Sequence, residues 1–180
     1  MKGVRAAIRY AKALMQLAKE KNSLDAVVLD IKMIHHLIEG SDDLRMLLSS
    51  PLIKSDKKQS ILSSLFSGKV NDLTLKFIQL VVDHNREASL AVIAEEFIAI
   101  YNEKNNIAKV SLTTATALDA NSREMILKTI KEKYNFSEIQ LDESVDSDLL
   151  GGMVMRIGDK QLDASIRGQL RKIENELVQA

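Results

Sequence analysis

Three features of this 180-residue chain could do chemistry: its histidines, its acidic loop and Ser165. His35 and His36 are neighbours on a helical pattern and point about 100° apart, so they cannot chelate one ion together. His36 and Glu39 have i, i+3 spacing, but in the reverse order to the Glu-x-x-His of carboxylate di-metal bundles and without a second copy. His84 stands alone in the sequence. Asp146-x-Asp148-x-Leu150-Gly151 opens like a calcium loop, then fails at its fifth position and puts Ile157 where a bidentate Glu is required. With Asp142 and Glu143 it reads as an acidic solvated loop. No metal site is expected.

Ser165 has no histidine near it in sequence, and its place before an apolar helical pattern makes it a helix N-cap. A Ser/His/Asp arrangement could assemble through space, but no nucleophile-elbow motif points to one. Gly151, Gly152 and Gly158 do not make G-x-G-x-x-G, and there is no G-x-x-x-x-G-K-[ST], so no phosphate cradle and no cofactor are expected. Arg167, Arg171 and Lys172 come early in the last helical stretch and Glu174 and Glu176 late, an order that opposes the helix dipole. Those charges either have external partners or are screened by salt; the former is the expectation.

The elements that must position these residues follow from hydrophobic period. Residues 3–20 carry a stripe of Val4, Ile8, Ala11, Met15 and Ala18, with Ala7 and Leu14 beside it. Ser23 can cap a second helix that Gly40 ends, and Ser41 with Asp42-Asp43 opens a third, stopped by Pro51. A fourth starts at Ser55 and closes at Ser67-Gly68; a fifth runs from Asn71 to about Asn85, and a sixth from about Arg86 to Lys104. The fifth groups Leu73, Phe77, Leu80 and Val81 on one face and Leu75, Ile78 and Val82 on another. Such a helix is either central in its bundle or keeps one face for a partner.

At Asn105-Asn106 the period changes from 3.6 to 2. Ala108, Val110, Leu112 and Thr114 alternate as a strand, and residues 120–134 return to helix with Met125, Ile126, Ile130 and Tyr134 as core candidates. A strand with Ile139, Leu141 and Val145 follows, then Met153–Ile157, the glycine-first hairpin pair Gly158-Asp159, and a helix striped by Ile166, Leu170, Ile173 and Leu177. Asp163 and Ser165 compete to cap that helix. The fold class is mostly α: a six-helix bundle over 1–105 and a small α+β domain over 106–180.

Composition narrows the classes further. Lys plus Arg equals Asp plus Glu at 25 each, so net charge makes no case for nucleic acid or membrane as principal partner. No apolar run approaches the ~18–20 residues that span a bilayer, and no cysteine is present for staples or thiolate sites. The basic start (Lys2, Arg5, Arg9, Lys12, Lys19 and Lys21 against Glu20) has the charge of a mitochondrial targeting peptide. It is poor in serine, however, and its apolar face already serves a helix; a mature bacterial-type chain is the simpler expectation.

The stretch Leu149–Leu177 holds GG-h-h-h-R-h-GD-x-x-h-D-x-S-h-R-x-x-L, with h apolar. It resembles the C-terminal signature of the delta-subunit family of F-type ATP synthases, whose mitochondrial relative is the oligomycin-sensitivity-conferring protein. Arg9-Tyr10-Ala11-Lys12-Ala13-Leu14 looks like the family's opening, and Glu96-Phe97 through Tyr101-Asn102 resembles its sixth helix. The resemblance covers nearly the whole chain. It implies a non-catalytic stator subunit, one copy per complex, that ties the catalytic head to the peripheral stalk. Helices one and five would form a groove for the N-terminal segment of an alpha subunit, with Tyr10, Ala13, Leu14 and Leu17 on one wall and Phe77, Leu80 and Val81 on the other.

The C-terminal domain would engage the C-terminus of the b-subunit stalk. Gly151, Gly152, Arg156, Asp163, Ser165 and Arg167 match the signature there, as structural or stalk-facing positions. His84-Asn85-Arg86 departs from the family's usual turn and leaves the contacts at the end of helix five open. The implied location is peripheral, on the cytoplasmic face of a bacterial inner membrane, with no direct membrane insertion. Two rivals compete: a general helical adaptor for an unrelated amphipathic helix, and an enzyme with its site between the domains, which no motif supports.

Overall fold

Asparagine, as much as glycine, sets where the helices of this chain stop. Asn22, Asn85, Asn106 and Asn135 all take left-handed φ angles between 50° and 55°, a conformation that a short amide side chain tolerates better than most. After Asn22 and Asn85 the chain closes with paired bonds, Asn85 N to Val82 O at 2.8 Å and Arg86 N to Val81 O at 2.9 Å. These are the 5→2 and 6→1 bonds of a Schellman motif.

A computed structural model describes residues 2–179, with side-chain burial given for 4–175. It divides into two units, Met1–Tyr101 and Asn102–Ala180. The first contains α1 (Lys2–Glu20), α2 (Leu24–Gly40), α3 (Asp42–Ser49), α4 (Ser55–Phe66), α5 (Asp72–Asp83) and all but the last turn of α6 (Leu90–Lys104). Its core is aliphatic, filled around Phe66, Phe97, Leu14, Ile31, Ile34 and Ile93. Ala7, Ala11 and Ala18 keep the inner face of α1 thin and are all buried, whereas Val4 is half exposed. The buried stripe of α1 therefore runs through 7, 11, 14, 15 and 18 rather than starting at 4.

Local caps hold several of these ends. Ser41 Oγ accepts from Leu44 N at 3.2 Å and Asn71 Oδ1 from Leu73 N at 2.9 Å. Ser23 stands at the N-cap of α2 but makes no side-chain cap bond. Gly40 is the last residue of α2 without a left-handed turn, because Ser41 is already extended to cap α3. The expected long sixth helix is broken: residues Glu87–Ser89 form a 3₁₀ turn before α6. The Schellman bonds tie Arg86 back to α5, and the Glu87 carboxylate is drawn inward to Lys58.

Two long-range polar contacts fix α5 and its neighbours. Asp30 of α2 accepts from Asn71 N at 2.8 Å and from Thr74 Oγ1 at 2.7 Å, placing a carboxylate at the positive end of α5. Lys58 Nζ donates to Glu87 Oε1 at 2.7 Å and to Leu48 O at 3.0 Å, both side chains being buried.

The second unit contains β1 (Ile107–Thr114), α7 (Ala120–Tyr134), β2 (Glu138–Val145), β3 (Met153–Ile157), β4 (Lys160–Asp163) and α8 (Ile166–Gln179). The sheet order is β2-β1-β3-β4. β1 pairs parallel with β2, Ile107 facing Glu138, which requires the crossover that α7 supplies. β3 pairs antiparallel with β1 and β4, and Gly158-Asp159 makes the two-residue turn between Ile157 and Lys160. Ala108, Val110 and Leu112 turn one face of β1 into the core with Ile130 and Met155. Met125, expected in that core, is 71% exposed. Ile126, Ile130 and Tyr134 lie one turn apart and face the sheet; Met125, one residue earlier, is rotated about 100° away.

Candidate functional site

A groove of about 610 Å³ lies between α1 and α5 in the first unit. Ala6, Arg9, Tyr10, Ala13, Leu14 and Leu17 form its α1 side; Leu73, Lys76, Phe77 and Leu80 form its α5 side, and Arg86 stands at the end. Leu14 is fully buried as the floor, while Leu17 and Leu80, 43% and 44% exposed, form open rims. The small side chains of Ala6 and Ala13 leave the depth. Tyr10 packs edge-on against Phe77 with ring centroids 6.3 Å apart, a preferred aromatic geometry.

The groove gathers six of the seven residues expected there and rejects one. Val81 is fully buried in the bundle core and lines no part of the groove. The two faces of α5 divide differently from the expectation. Thr74, Ile78, Val81 and Val82 face the core, while Leu73, Lys76 and Leu80 face outward, with Phe77 between. Leu80 and Val81 are neighbours, about 100° apart on the helix, and Val81 is the one turned into the core.

His84, isolated in sequence, has a partner in space: its Nδ1 lies 3.0 Å from Tyr10 Oη, across the end of the groove. Leu73 and Lys76 were legible as the turn preceding Phe77 and Leu80. Arg86 was not, since it lies beyond the helix altogether.

In the second unit the signature residues mostly serve local structure. Gly152 has φ +74°, and a Cβ there would stand 2.2 Å from Ala164 O; at Gly151 it would meet Ile166 Cδ1 at 2.5 Å. Backbone bonds from Ala164 N to Met153 O and from Ile166 N to Gly151 O seal that approach. Ser165 and Asp163 cooperate rather than compete. Ser165 Oγ accepts from Gly168 N at 3.0 Å, and Asp163 Oδ1 accepts from both Ser165 N (2.9 Å) and Ser165 Oγ (2.6 Å). Those bonds from Ser165, with lesser help from Lys172 and Arg167, hold the Asp163 carboxyl below its ordinary value. Gly168, which carried no expectation, packs close to that carboxylate: a Cβ there would stand 2.7 Å from its oxygens.

Arg156 Nε donates to Gly158 O at 3.2 Å and braces the hairpin. Arg167 lies 3.6 Å from Asp146 in a half-exposed ion pair. This gives Arg167 an internal partner where an external one was expected. For Arg167 the offset is internal, because the acidic loop and the Asp163 cap stand beside the start of that helix. The apolar stripe of α8 does look outward: Ile166, Leu170 and Ile173 are each about half exposed. The side chains of Glu176 and Leu177 lie outside those described.

Among the described residues no group of three or more His, Asp or Glu is gathered to hold a metal, and no helix is long and apolar enough to cross a membrane. Glu39 stands 3.5 Å from His35 as an i, i+4 pair.

Comparison with known proteins agrees with the signature. A family model described as ATP synthase delta (OSCP) subunit matches residues 6–177. ATP synthase subunit delta of Christiangramia forsetii is 41% identical over 177 residues, 98% of this chain and 95% of the relative. The same subunit of Lactobacillus johnsonii is 36% identical over 96% and 94%. A chain from the cryo-EM structure of the Toxoplasma gondii mitochondrial ATP synthase hexamer superposes with TM-score 0.77 over 96% of this chain and 97% of that one; at 23% identity it speaks for the fold. The aliphatic groove, the glycine-sealed approach to α8 and the match along nearly the whole chain converge: this chain belongs to the ATP synthase delta (OSCP) subunit family.

Proposed function

We propose that the first unit holds the N-terminal segment of an alpha subunit in the α1/α5 groove, and that the second unit takes the C-terminal end of the b-subunit stalk. This divides between two units the work of a non-catalytic peripheral-stalk subunit of F-type ATP synthase, the role of the family to which the chain belongs. Such a subunit ties the catalytic head to the stalk, so that the head cannot turn with the rotor. On this reading one copy acts per complex. It acts peripherally, on the cytoplasmic face of a bacterial inner membrane, and is held there by the complex rather than by inserting a helix of its own.

The observation that carries the first assignment is the groove itself. Its walls are aliphatic and aromatic, and its α1 side runs from Ala6 to Leu17. That is about 16 Å at 1.5 Å per residue, the length of a three-turn helix. A helix laid in a groove supplies tight binding without chemistry, its apolar anchors giving affinity. For the second unit the support is the outward stripe of Ile166, Leu170 and Ile173, an unpartnered helix face at coiled-coil-like spacing.

The test is titration of the full chain with a synthetic peptide of the alpha subunit's N-terminal segment. A peptide of scrambled apolar face is the control. Saturable binding lost on scrambling, and weakened at least about tenfold in a folded Ala13→Trp variant, is the expected result. Equal binding of both peptides, or unchanged affinity of the variant, overturns the groove assignment.

A further inference from the structure

The turn at the end of the groove is held from behind. Asp83-His84-Asn85-Arg86-Glu87 closes α5 and leads into the 3₁₀ turn, and its side chains alternate between two neighbours. His84 bonds Tyr10 of α1, and Arg86 lines the groove. The other three go to α4 instead. Gln59 Nε2 donates to Asp83 Oδ1 at 3.3 Å, Ser55 Oγ to Asn85 Oδ1 at 2.7 Å, and Lys58 Nζ to Glu87 Oε1 at 2.7 Å. Ser55, Lys58 and Gln59 stand at i, i+3 and i+4, so one face of α4 makes all three bonds. Among the described residues, none from α4 lines the groove.

The buried member of the set is the Lys58–Glu87 pair, 2% and 8% exposed. A buried ion pair often stabilises a fold no better than well-packed apolar side chains would, and its best-attested use is to fix a register. Lys58 has the contacts for that use, since it also donates to Leu48 O near the end of α3. Asn85 stands between His84 and Arg86, so holding its side chain and that of Glu87 limits where both groove residues can point.

We infer that α4 is a positioning element: Lys58, with Ser55 and Gln59 beside it, holds the 83–87 turn so that His84 and Arg86 stand ready at the end of the groove. A turn already held in its bound shape needs no ordering when the occupant arrives, and that saving appears as affinity. Part of the binding is thereby set by residues that never touch the occupant. The walls are independent of this clamp, because Tyr10, Leu14, Phe77 and Leu80 lie on α1 and α5 themselves. The inference rests on the groove reading above and goes beyond it in tracing affinity to a helix outside the groove.

The experiment titrates the full chain with the alpha-subunit N-terminal peptide. Lys58→Met with Glu87→Leu removes both buried charges together, and the folded double variant is expected to bind about fivefold more weakly. The same two changes in a His84→Ala, Arg86→Ala background are expected to cost nothing further, because the clamp acts through those residues. Ser55→Ala with Gln59→Ala leaves the buried pair in place and is expected to weaken binding about twofold, so the outcome does not depend on how the first variant folds. Wild-type affinity in the folded variants overturns the inference and spares the groove. So does a loss of the same size that persists without His84 and Arg86, the mark of a merely structural change. Absence of saturable binding to the wild-type chain overturns the groove reading, and the inference with it.

Discussion

Tyr10 Oη and His84 Nδ1 lie 3.0 Å apart, joining the middle of α1 to the residue that closes α5. The same ring packs on Phe77. One side chain thus fixes how far apart the two walls of the groove stand. Tyr10→Phe keeps the ring and loses the bond, at a cost of about 0.5–1 kcal/mol in urea unfolding. Tyr10→Ala loses the ring contact too and is expected to cost at least about 1 kcal/mol more. Equal midpoints for the two variants would show that the wall spacing is set elsewhere.

Lys58 and Glu87 form a buried pair at 2.7 Å, with Glu87 Oε2 left without a hydrogen-bond partner. Removing one member strands a buried charge. Lys58→Met is therefore expected to destabilise the first unit by about 3–5 kcal/mol, and Lys58→Met with Glu87→Leu to recover most of that loss. Chemical denaturation of the single and double variants measures both. A double variant no better than the single would mean that the Lys58 bond to Leu48 O carries the stability instead.

Two glycines with positive φ separate strain from collision. Gly158→Ala meets nothing within 4 Å and carries only the left-handed penalty, about 1 kcal/mol. Gly152→Ala adds a Cβ 2.2 Å from a backbone carbonyl and is expected to cost more than about 3 kcal/mol, displacing the start of α8. Loss of α8 amide protection in Gly152→Ala and its retention in Gly158→Ala would establish the contrast.

Acid should loosen the start of α8 before the rest of its unit. The Asp163 carboxyl is held below its ordinary value of 3.8, first by Ser165. A carboxylate depressed in the folded state stabilises fully above its unfolded value, and that contribution disappears as pH falls through the lower folded value. Exchange of the Gly168 amide, bonded to Ser165 Oγ, is therefore expected to accelerate relative to the sheet amides below about pH 3.8. In Asp163→Ala that extra acceleration should be absent. Ser165→Ala should lose the cap at every pH, at about 1 kcal/mol.

Helix and strand identities were legible because their causes are local. The change of period at Asn105-Asn106, the caps Ser41 and Asn71 and the Gly158-Asp159 turn all act within a few residues, and each stands where the pattern put it. Most of the groove was legible too, through Tyr10, Leu14, Leu17, Phe77 and Leu80. The signature of glycines, Asp163 and Ser165 was legible as family membership, although the backbone carbonyl that a Cβ at Gly152 would meet, and the bonds joining Asp163 to Ser165, appear only in the structure.

The sequence alone therefore determined which segments are helix or strand and to which family the chain belongs, because backbone propensity, capping and spacing are short-range properties. Tertiary structure decided which side of each element faces what. It sent Val81 to the core and Leu80 to the groove, turned Met125 out to solvent, gave His84 its tyrosine and Arg167 its aspartate, and set Asp30 on the end of α5. The physical reason is rotational. Neighbouring residues on a helix point about 100° apart, and on a helix apolar on two sides the pattern constrains that angle only loosely. It is settled when the other helices pack against it.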